Sequence, residues 1–174
     1  AIDELNTIAM QKKLIAAFRE HNLPVIFVSV ISDPINYLPK WGFFFEMSKL
    51  TAPKGYLNNP ELAEGCEIMP EMGKLPEEPI FYHTGHSPLT GNHLEEYLRQ
   101  YCVTDVVLTG WTAHSTLYTS MLQFTNHWVS VVVPRDATGA PERDADCAEI
   151  VLNKMMRMLG LVTTVDDVIQ HLPK

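Results

Sequence analysis

The sequence predicts an α/β fold: a mostly parallel, doubly wound sheet covered by helices on both faces, giving three layers. Two observations lead to this prediction. Several apolar runs of strand length lack strict alternation of apolar and polar residues, as is typical of strands buried on both faces of a parallel sheet. Segments with helical periodicity lie between these runs, and strands that alternate with helices form right-handed βαβ units.

The elements alternate along most of the chain. The predicted strands are residues 24–31, 79–83, 103–110 and 128–134, with a short further strand at 162–164. The predicted helices are residues 4–21, 91–101, 113–126 and 141–159, with a last helix after Thr164. In the first helix, apolar residues such as Ile8, Ile15 and Phe18 fall close to helical spacing, which is the main reason for its assignment.

Three of the helices have recognisable starts or buried faces. Asn92, with Glu95 three residues later, is typical of a helix N-cap, and Thr164 is the expected cap of the last helix. Pro141 suits the first turn of the long helix. The predicted buried stripe of that helix is Ala148, Leu152, Met155 and Leu159.

Composition favours one folded domain and excludes several kinds of protein. The chain has 174 residues, 46% apolar and 20% charged, so we expect a single domain over residues 1–174. The net charge is −8 and no run of Lys and Arg exists, which argues against nucleic-acid and membrane partners. No apolar run spans a bilayer, and the N-terminus does not resemble a signal peptide. We therefore expect a cytoplasmic protein whose scattered cysteines, Cys66, Cys102 and Cys147, stay reduced.

Residues 31–77 break the alternation of strands and helices. This stretch is rich in Pro and Gly and contains an aromatic cluster at residues 41–47. A long irregular insertion in a compact domain is usually a lid or a binding loop. Trp41 and Phe45 either cover a pocket or form part of a subunit interface. We favour an interface or a lid shared between subunits, because aromatic residues are enriched at interfaces, and we expect a homo-oligomer.

Polar residues follow two of the predicted strands, at the edge where ligands bind in open parallel sheets. One group is residues 83–87, which includes His83 and His86, and the other is residues 109–116. Gly110 permits a tight turn into the next helix. The backbone N–H groups of residues 112–116 would then stabilise an oxyanion, as in a hydrolase. An ordinary strand-to-helix turn with a polar cap explains the same pattern.

The segment VVLTGWTAHSTLYTSM (residues 106–121) resembles the isochorismatase-like cysteine hydrolases. In that family an apolar strand is followed by Gly-Val, a small residue, Thr, two variable residues and the nucleophilic Cys. Further segments resemble the family in the same order: PVIFV (24–28), GCEIMPEM (65–72), IFYHTGHSPLTGNHLEEYLR (80–99), TGAPERDADCAEIVLNKM (138–155) and VTTVDDVI (162–169). The resemblance covers nearly the whole chain and implies hydrolysis of a small molecule.

The resemblance also implies which residues would do the chemistry, and here the chain departs from the family. The family uses a triad of Asp, Lys and Cys; the Cys position falls on Thr116 and the Lys position on His83. The Asp ends a first strand that precedes the first helix. This chain begins at that helix, so we expect residues upstream of Ala1, or else a second chain, to supply the central strand. The Asp would come with such an upstream segment.

The remaining candidate site residues lie at the same two strand ends. Trp111 occupies the usual Val position and would narrow the pocket, and the resemblance predicts a non-proline cis peptide bond between Trp111 and Thr112. Thr112, His114 and His86 complete the expected oxyanion and pocket group. The metal-binding branch of the family has an Asp and two His after its second strand, whereas residues 32–41 contain Asp33 and no His, so the resemblance implies neither a metal ion nor a cofactor.

Three hypotheses about function remain open. In the first, the chain is a diverged member that keeps the fold and a small-molecule pocket but has altered or lost activity, since a threonine hydroxyl is a far weaker nucleophile than a thiolate. In the second, it is an active hydrolase of amides or vinyl ethers, using an upstream Asp or His83 as a base for Thr116. In the third, it is a non-catalytic binding or structural subunit.

Overall fold

The computed structural model describes residues 4–30, 67–83 and 85–173. The chain divides into two compact units, Ala1–Val25 with Glu96–Lys174, and Ile26–Glu95. The strands are β1 (Phe27–Val30), β2 (Ile80–His83), β3 (Asp105–Val107), β4 (Gly110–Trp111), β5 (Ser130–Pro134), β6 (Thr138–Gly139) and β7 (Leu161–Thr163). The helices are α1 (Glu4–Glu20), α2 (Leu94–Gln100), α3 (Tyr118–Asn126), α4 (Ala145–Ile150) and α5 (Val165–Gln170).

The α/β fold class predicted from the sequence is confirmed. Every predicted strand and helix has a counterpart, although the predicted strand 103–110 is divided into β3 and β4. All the strand pairs in the described residues are parallel. No helix among those residues is both long enough and apolar enough to cross a membrane.

The larger unit is built around a parallel sheet with strand order β3-β5-β7. Val132 of β5 packs on one face against a cluster from α1, α5 and the turn after β5, whose buried members are Leu14, Ala137, Val165 and Val168. Val131 and Val133 are buried too, and successive side chains of a strand point to opposite faces. Helix α3 contacts β5 as well, so the central strand is covered on both sides.

The smaller unit contains a two-stranded parallel pair, β1 with β2, in which Val30 lies opposite His83. Phe27 is buried, whereas Val28 and Val30 are each more than a third exposed. The prediction that the apolar runs are buried on both faces is therefore correct for β5 and wrong for β1. Alternate residues of β1 differ in burial because the strand has a covered face and a more open face.

Three helices end in the same way, without glycine. Asn22, Cys102 and Trp128 have φ angles of 55°, 54° and 61° and follow the ends of α1, α2 and α3. At each end the residue with positive φ donates to a carbonyl three residues back, and the next residue donates to one five residues back. This is the Schellman pattern, which usually places glycine at the left-handed position.

The long predicted helix 141–159 is present but irregular. It opens with a 3-10 turn, continues as α4, widens into a π-helical turn at Val151–Met155 and tightens again over Met156–Met158. Ala148 and Leu152 are buried as predicted, but Met155 is 38% exposed and Met156 is fully buried. A π-helical turn contains an extra residue, so the buried stripe shifts by one position beyond it.

Side-chain caps predicted from the sequence are present. The Asn92 Oδ1 accepts a hydrogen bond from the Leu94 N–H at 3.0 Å, at the start of α2. The Thr164 Oγ1 accepts one from the Asp167 N–H at 3.3 Å, at the start of α5. The Asp136 Oδ1 also accepts a hydrogen bond from the Val165 N–H, at 2.9 Å, and so binds another of the free N–H groups of α5.

Candidate functional site

The candidate site in the larger unit is the turn that leads from β4 into α3. Gly110 has a φ of 130°, which side chains rarely adopt, and the peptide bond between Trp111 and Thr112 is cis. A π-helical turn, Ala113–Leu117, then runs directly into α3. The Leu117 N–H donates to the Thr112 carbonyl at 3.1 Å. Because Ala113 and Leu117 are buried, this turn is anchored in the core.

Strand pairing holds Trp111 at the start of this turn. In the β4–β6 pair, Gly110 lies opposite Thr138 and Trp111 opposite Gly139. A Cβ atom added to Gly139 would lie 1.8 Å from Cζ3 of Trp111, so the six-membered ring of the indole lies directly against the glycine backbone. Glycine within a strand often marks this kind of close approach. Gly139 was not predicted as part of the site, because its partner is 28 residues away along the chain.

Thr116, which the resemblance predicts at the position of the family's cysteine, lies within the π-helical turn and is partly exposed. Its carbonyl accepts a hydrogen bond from Ser120 Oγ at 2.5 Å, which ties the turn to α3. Of the cysteines that the structure describes, Cys102 lies just after α2 and Cys147 in α4, and both are exposed. Neither of them is part of the turn that carries Thr116.

His114 lies between Trp111 and Thr116 and faces an acidic residue. Its Nε2 is 3.8 Å from Asp144 Oδ2, and that carboxylate oxygen also accepts a hydrogen bond from Arg143 Nε at 3.1 Å. The Nδ1 of His114 is buried and has no hydrogen-bond partner. A buried polar atom without a partner is uncommon in proteins. Asp144 was not predicted as part of the site, because nothing in the sequence indicates that it lies near His114.

His83 lies in the smaller unit, at the end of β2. It is buried, and its Nδ1 donates a hydrogen bond to the Gly85 carbonyl at 2.8 Å, which leaves the lone pair on Nε2. Burial lowers the pKa of His83 from its ordinary value of 6.5. The hydrogen bond to Gly85 opposes this effect, and repulsion by His86 adds to it. His83 is therefore mainly neutral at pH 7, and it would not supply a positive charge at the position that the resemblance predicts for the family's lysine.

The loop that follows β2 is fixed by its own side chains. The Asn92 amide donates to the carbonyls of Tyr82 and Pro88, at 2.8 and 2.9 Å. A Cβ atom at Gly85 would lie 2.9 Å from Cγ2 of Thr90, so the loop is also closely packed. Asn92 thus connects β2, the loop and the start of α2, whereas the sequence predicted only its role as a cap.

The predicted site residues fall into three groups. Trp111, Thr112, His114 and Thr116 share the turn of the larger unit, and His83 and His86 belong to the smaller unit. Trp41 and Phe45 lie outside the described residues. Within residues 4–30, 67–83 and 85–173, no group of three or more His, Cys, Asp or Glu residues is arranged to hold a metal ion.

Residues 4–167 match the family model of the isochorismatase domain. No match to the sequence is found among curated proteins.

Several solved structures resemble the chain. An isochorismatase family protein from Burkholderia thailandensis is 26% identical, with a TM-score of 0.72 over 95% of this chain and 82% of the other. A cysteine hydrolase from Pseudomonas syringae is 19% identical, with a TM-score of 0.80 over 95% and 79%. N-carbamoylsarcosine amidase from Thermoplasma acidophilum is 18% identical, with a TM-score of 0.71 over 93% and 84%. Because the last two proteins are less than 20% identical to this chain, their similarity shows a shared fold.

Proposed function

Because the chain belongs to the isochorismatase family, we propose that it binds a small molecule at the turn Gly110–Leu117 and does not perform cysteine-dependent hydrolysis. The observation that carries this proposal is the residue at position 116. The turn has a buried anchor and a helix start, and at the position that the resemblance predicts for the nucleophile its side chain is a threonine.

The chemistry of the two side chains supports this distinction. A cysteine needs only a lowered pKa to become a strong nucleophile, whereas a threonine hydroxyl also needs a positioned base. The backbone of the turn still offers the N–H groups at the start of a helix, which favour a carbonyl oxygen or an anion. Binding of a polar small molecule therefore needs only these N–H groups, whereas covalent catalysis also needs a strong nucleophile or a positioned base.

A second candidate is hydrolysis that uses His83 as a general base, and the lowered pKa of His83 favours it. A neutral imidazole accepts a proton at pH 7, whereas a protonated one does not. The substrate would be a small amide or a vinyl ether. This candidate differs from the first in that it predicts turnover.

The experiment combines a binding measurement with a turnover measurement. The purified chain is titrated calorimetrically with nicotinamide, N-carbamoylsarcosine and isochorismate, and release of ammonia or pyruvate is followed over hours. We expect saturable binding of at least one compound without turnover. Turnover that disappears in His83→Ala would establish the second candidate and overturn the expectation of binding without turnover.

Control variants separate loss of chemistry from loss of structure. Thr116→Ser keeps a hydroxyl and Thr116→Val keeps the shape of the side chain. If the first candidate is correct, Thr116→Val still binds and no variant gains turnover. The absence of binding by every compound would contradict the proposed function.

A further inference from the structure

Trp111 is a half-exposed aromatic residue that cannot move freely. It is 40% exposed, although its ring lies directly against Gly139 and its backbone is paired with β6. Trp128, by contrast, is 93% exposed at the end of α3. The indole of Trp111 thus contacts backbone on one side while the residue stays partly exposed, and Trp111 shortly precedes the π-helical turn that carries Thr116.

Fixing an aromatic ring in advance favours ligand binding. Ordering a side chain when a ligand binds lowers affinity, and a ring already held by the fold avoids this loss. The open part of the indole is apolar surface in contact with water, and covering it is favourable. The π system favours a planar ring in a stacked or edge-on geometry over an aliphatic group of equal area.

We propose that Trp111 is the stacking surface for the bound molecule and that the preferred ligands carry a planar, conjugated ring next to their polar group. This inference rests on the proposed binding at the turn Gly110–Leu117 and names the class of ligand that this turn selects. Gly139 is the positioning residue, because any side chain there would force the indole away from β6.

The test compares two amides of the same size and different shape. Benzamide and cyclohexanecarboxamide have equal numbers of non-hydrogen atoms, but only the first is planar. We expect benzamide to bind wild-type protein more tightly, by about tenfold, and to quench tryptophan fluorescence. Trp111→Ala abolishes the difference in affinity between the two amides, whereas Trp111→Phe retains most of it.

Two further variants locate the effect. Trp128→Phe removes an exposed indole elsewhere, so both the quenching and the preference for benzamide remain. Gly139→Ala keeps the indole but displaces it, so the preference falls as it does in Trp111→Ala. Circular dichroism of each variant checks that the fold is retained.

Each outcome distinguishes this inference from the proposed function. Equal affinity for both amides, or an unchanged preference in Trp111→Ala, overturns the role of Trp111 while binding itself stands. Choline binding more tightly than benzamide overturns the assignment to a planar ring, because it identifies a cation as the preferred ligand. If no compound binds the wild-type protein, both the proposed function and the inference are wrong.

Discussion

The indole of Trp111 lies against the backbone of Gly139, at the point where strands β4 and β6 pair. The contact is between residues 28 positions apart, and it connects the turn of the candidate site to the segment that follows β5. The room for the ring exists only because position 139 has no side chain. Substitutions at the two positions are therefore expected to have non-additive effects on the free energy of unfolding.

We predict that Gly139→Ala destabilises the protein by about 1–3 kcal/mol, the usual range for inserting a methyl group into a packed site. The added Cβ would lie 1.8 Å from the indole, so the ring must leave its position. Urea denaturation gives the free energy of unfolding. In Trp111→Ala the same substitution should have a much smaller effect, because the obstructing ring is gone. Equal effects in the two backgrounds would contradict the contact.

A second glycine gives a more severe prediction. A Cβ atom at Gly160 would lie 2.4 Å from the backbone carbonyl oxygen of Val131 and 2.6 Å from Cε of Met121. Methionine is flexible, but the carbonyl belongs to the central strand β5 and cannot move without disturbing the sheet. We predict that Gly160→Ala costs about 3 kcal/mol or more in unfolding free energy.

The control for Gly160→Ala is the double variant Gly160→Ala/Met121→Ala. Removing the methionine relieves one of the two clashes, and leaves the clash with the backbone. The double variant should therefore stay less stable than Met121→Ala alone. If the two variants have equal stability, the backbone clash is not the cause.

The sequence predicted the positions of the elements well, because burial of apolar residues imposes a period on each of them. The sequence predicted buried positions and helix ends less well wherever the backbone departs from regular helical geometry. Met156 is buried in place of Met155 because a π-helical turn precedes it. The helix ends at Cys102 and Trp128 lack the glycine that normally signals them.

The candidate site was only partly predictable for a related reason. Trp111, His114 and Thr116 are close in sequence, so one motif identified them together. Gly139 and Asp144 contact the same turn from another part of the chain, and single-sequence patterns contain no signal for contacts of that kind.

The end of α3 provides a prediction of increased stability. Trp128 has a φ of 61° and is 93% exposed, so its backbone is strained while its side chain buries little surface. The left-handed conformation costs a side-chain-bearing residue about 1–2 kcal/mol, and the greater flexibility of unfolded glycine offsets part of the gain. We predict that Trp128→Gly stabilises the protein by about 1 kcal/mol.

The matched variant for Trp128→Gly is Asn22→Gly, at the end of α1. The two positions have the same backbone pattern, but asparagine adopts the left-handed conformation more readily than tryptophan. Thermal and urea denaturation should therefore show a smaller gain for Asn22→Gly. A larger gain at position 22 than at position 128 would contradict the explanation.

The last prediction concerns the dependence of stability on pH. Burial lowers the pKa of His83 below 6.5 in the folded chain, so the unfolded chain binds a proton first as the pH falls. Stability from the neutral imidazole is complete above pH 6.5 and is lost as the pH falls through the lower folded pKa.

We expect His83→Gln, which cannot be protonated, to lose less stability than wild type between pH 8 and pH 5. Urea denaturation at the two pH values measures this difference, and NMR titration of the His83 ring should give a midpoint below 6.5. Equal losses in the two proteins, together with a midpoint at or above 6.5, would show that burial does not control this residue.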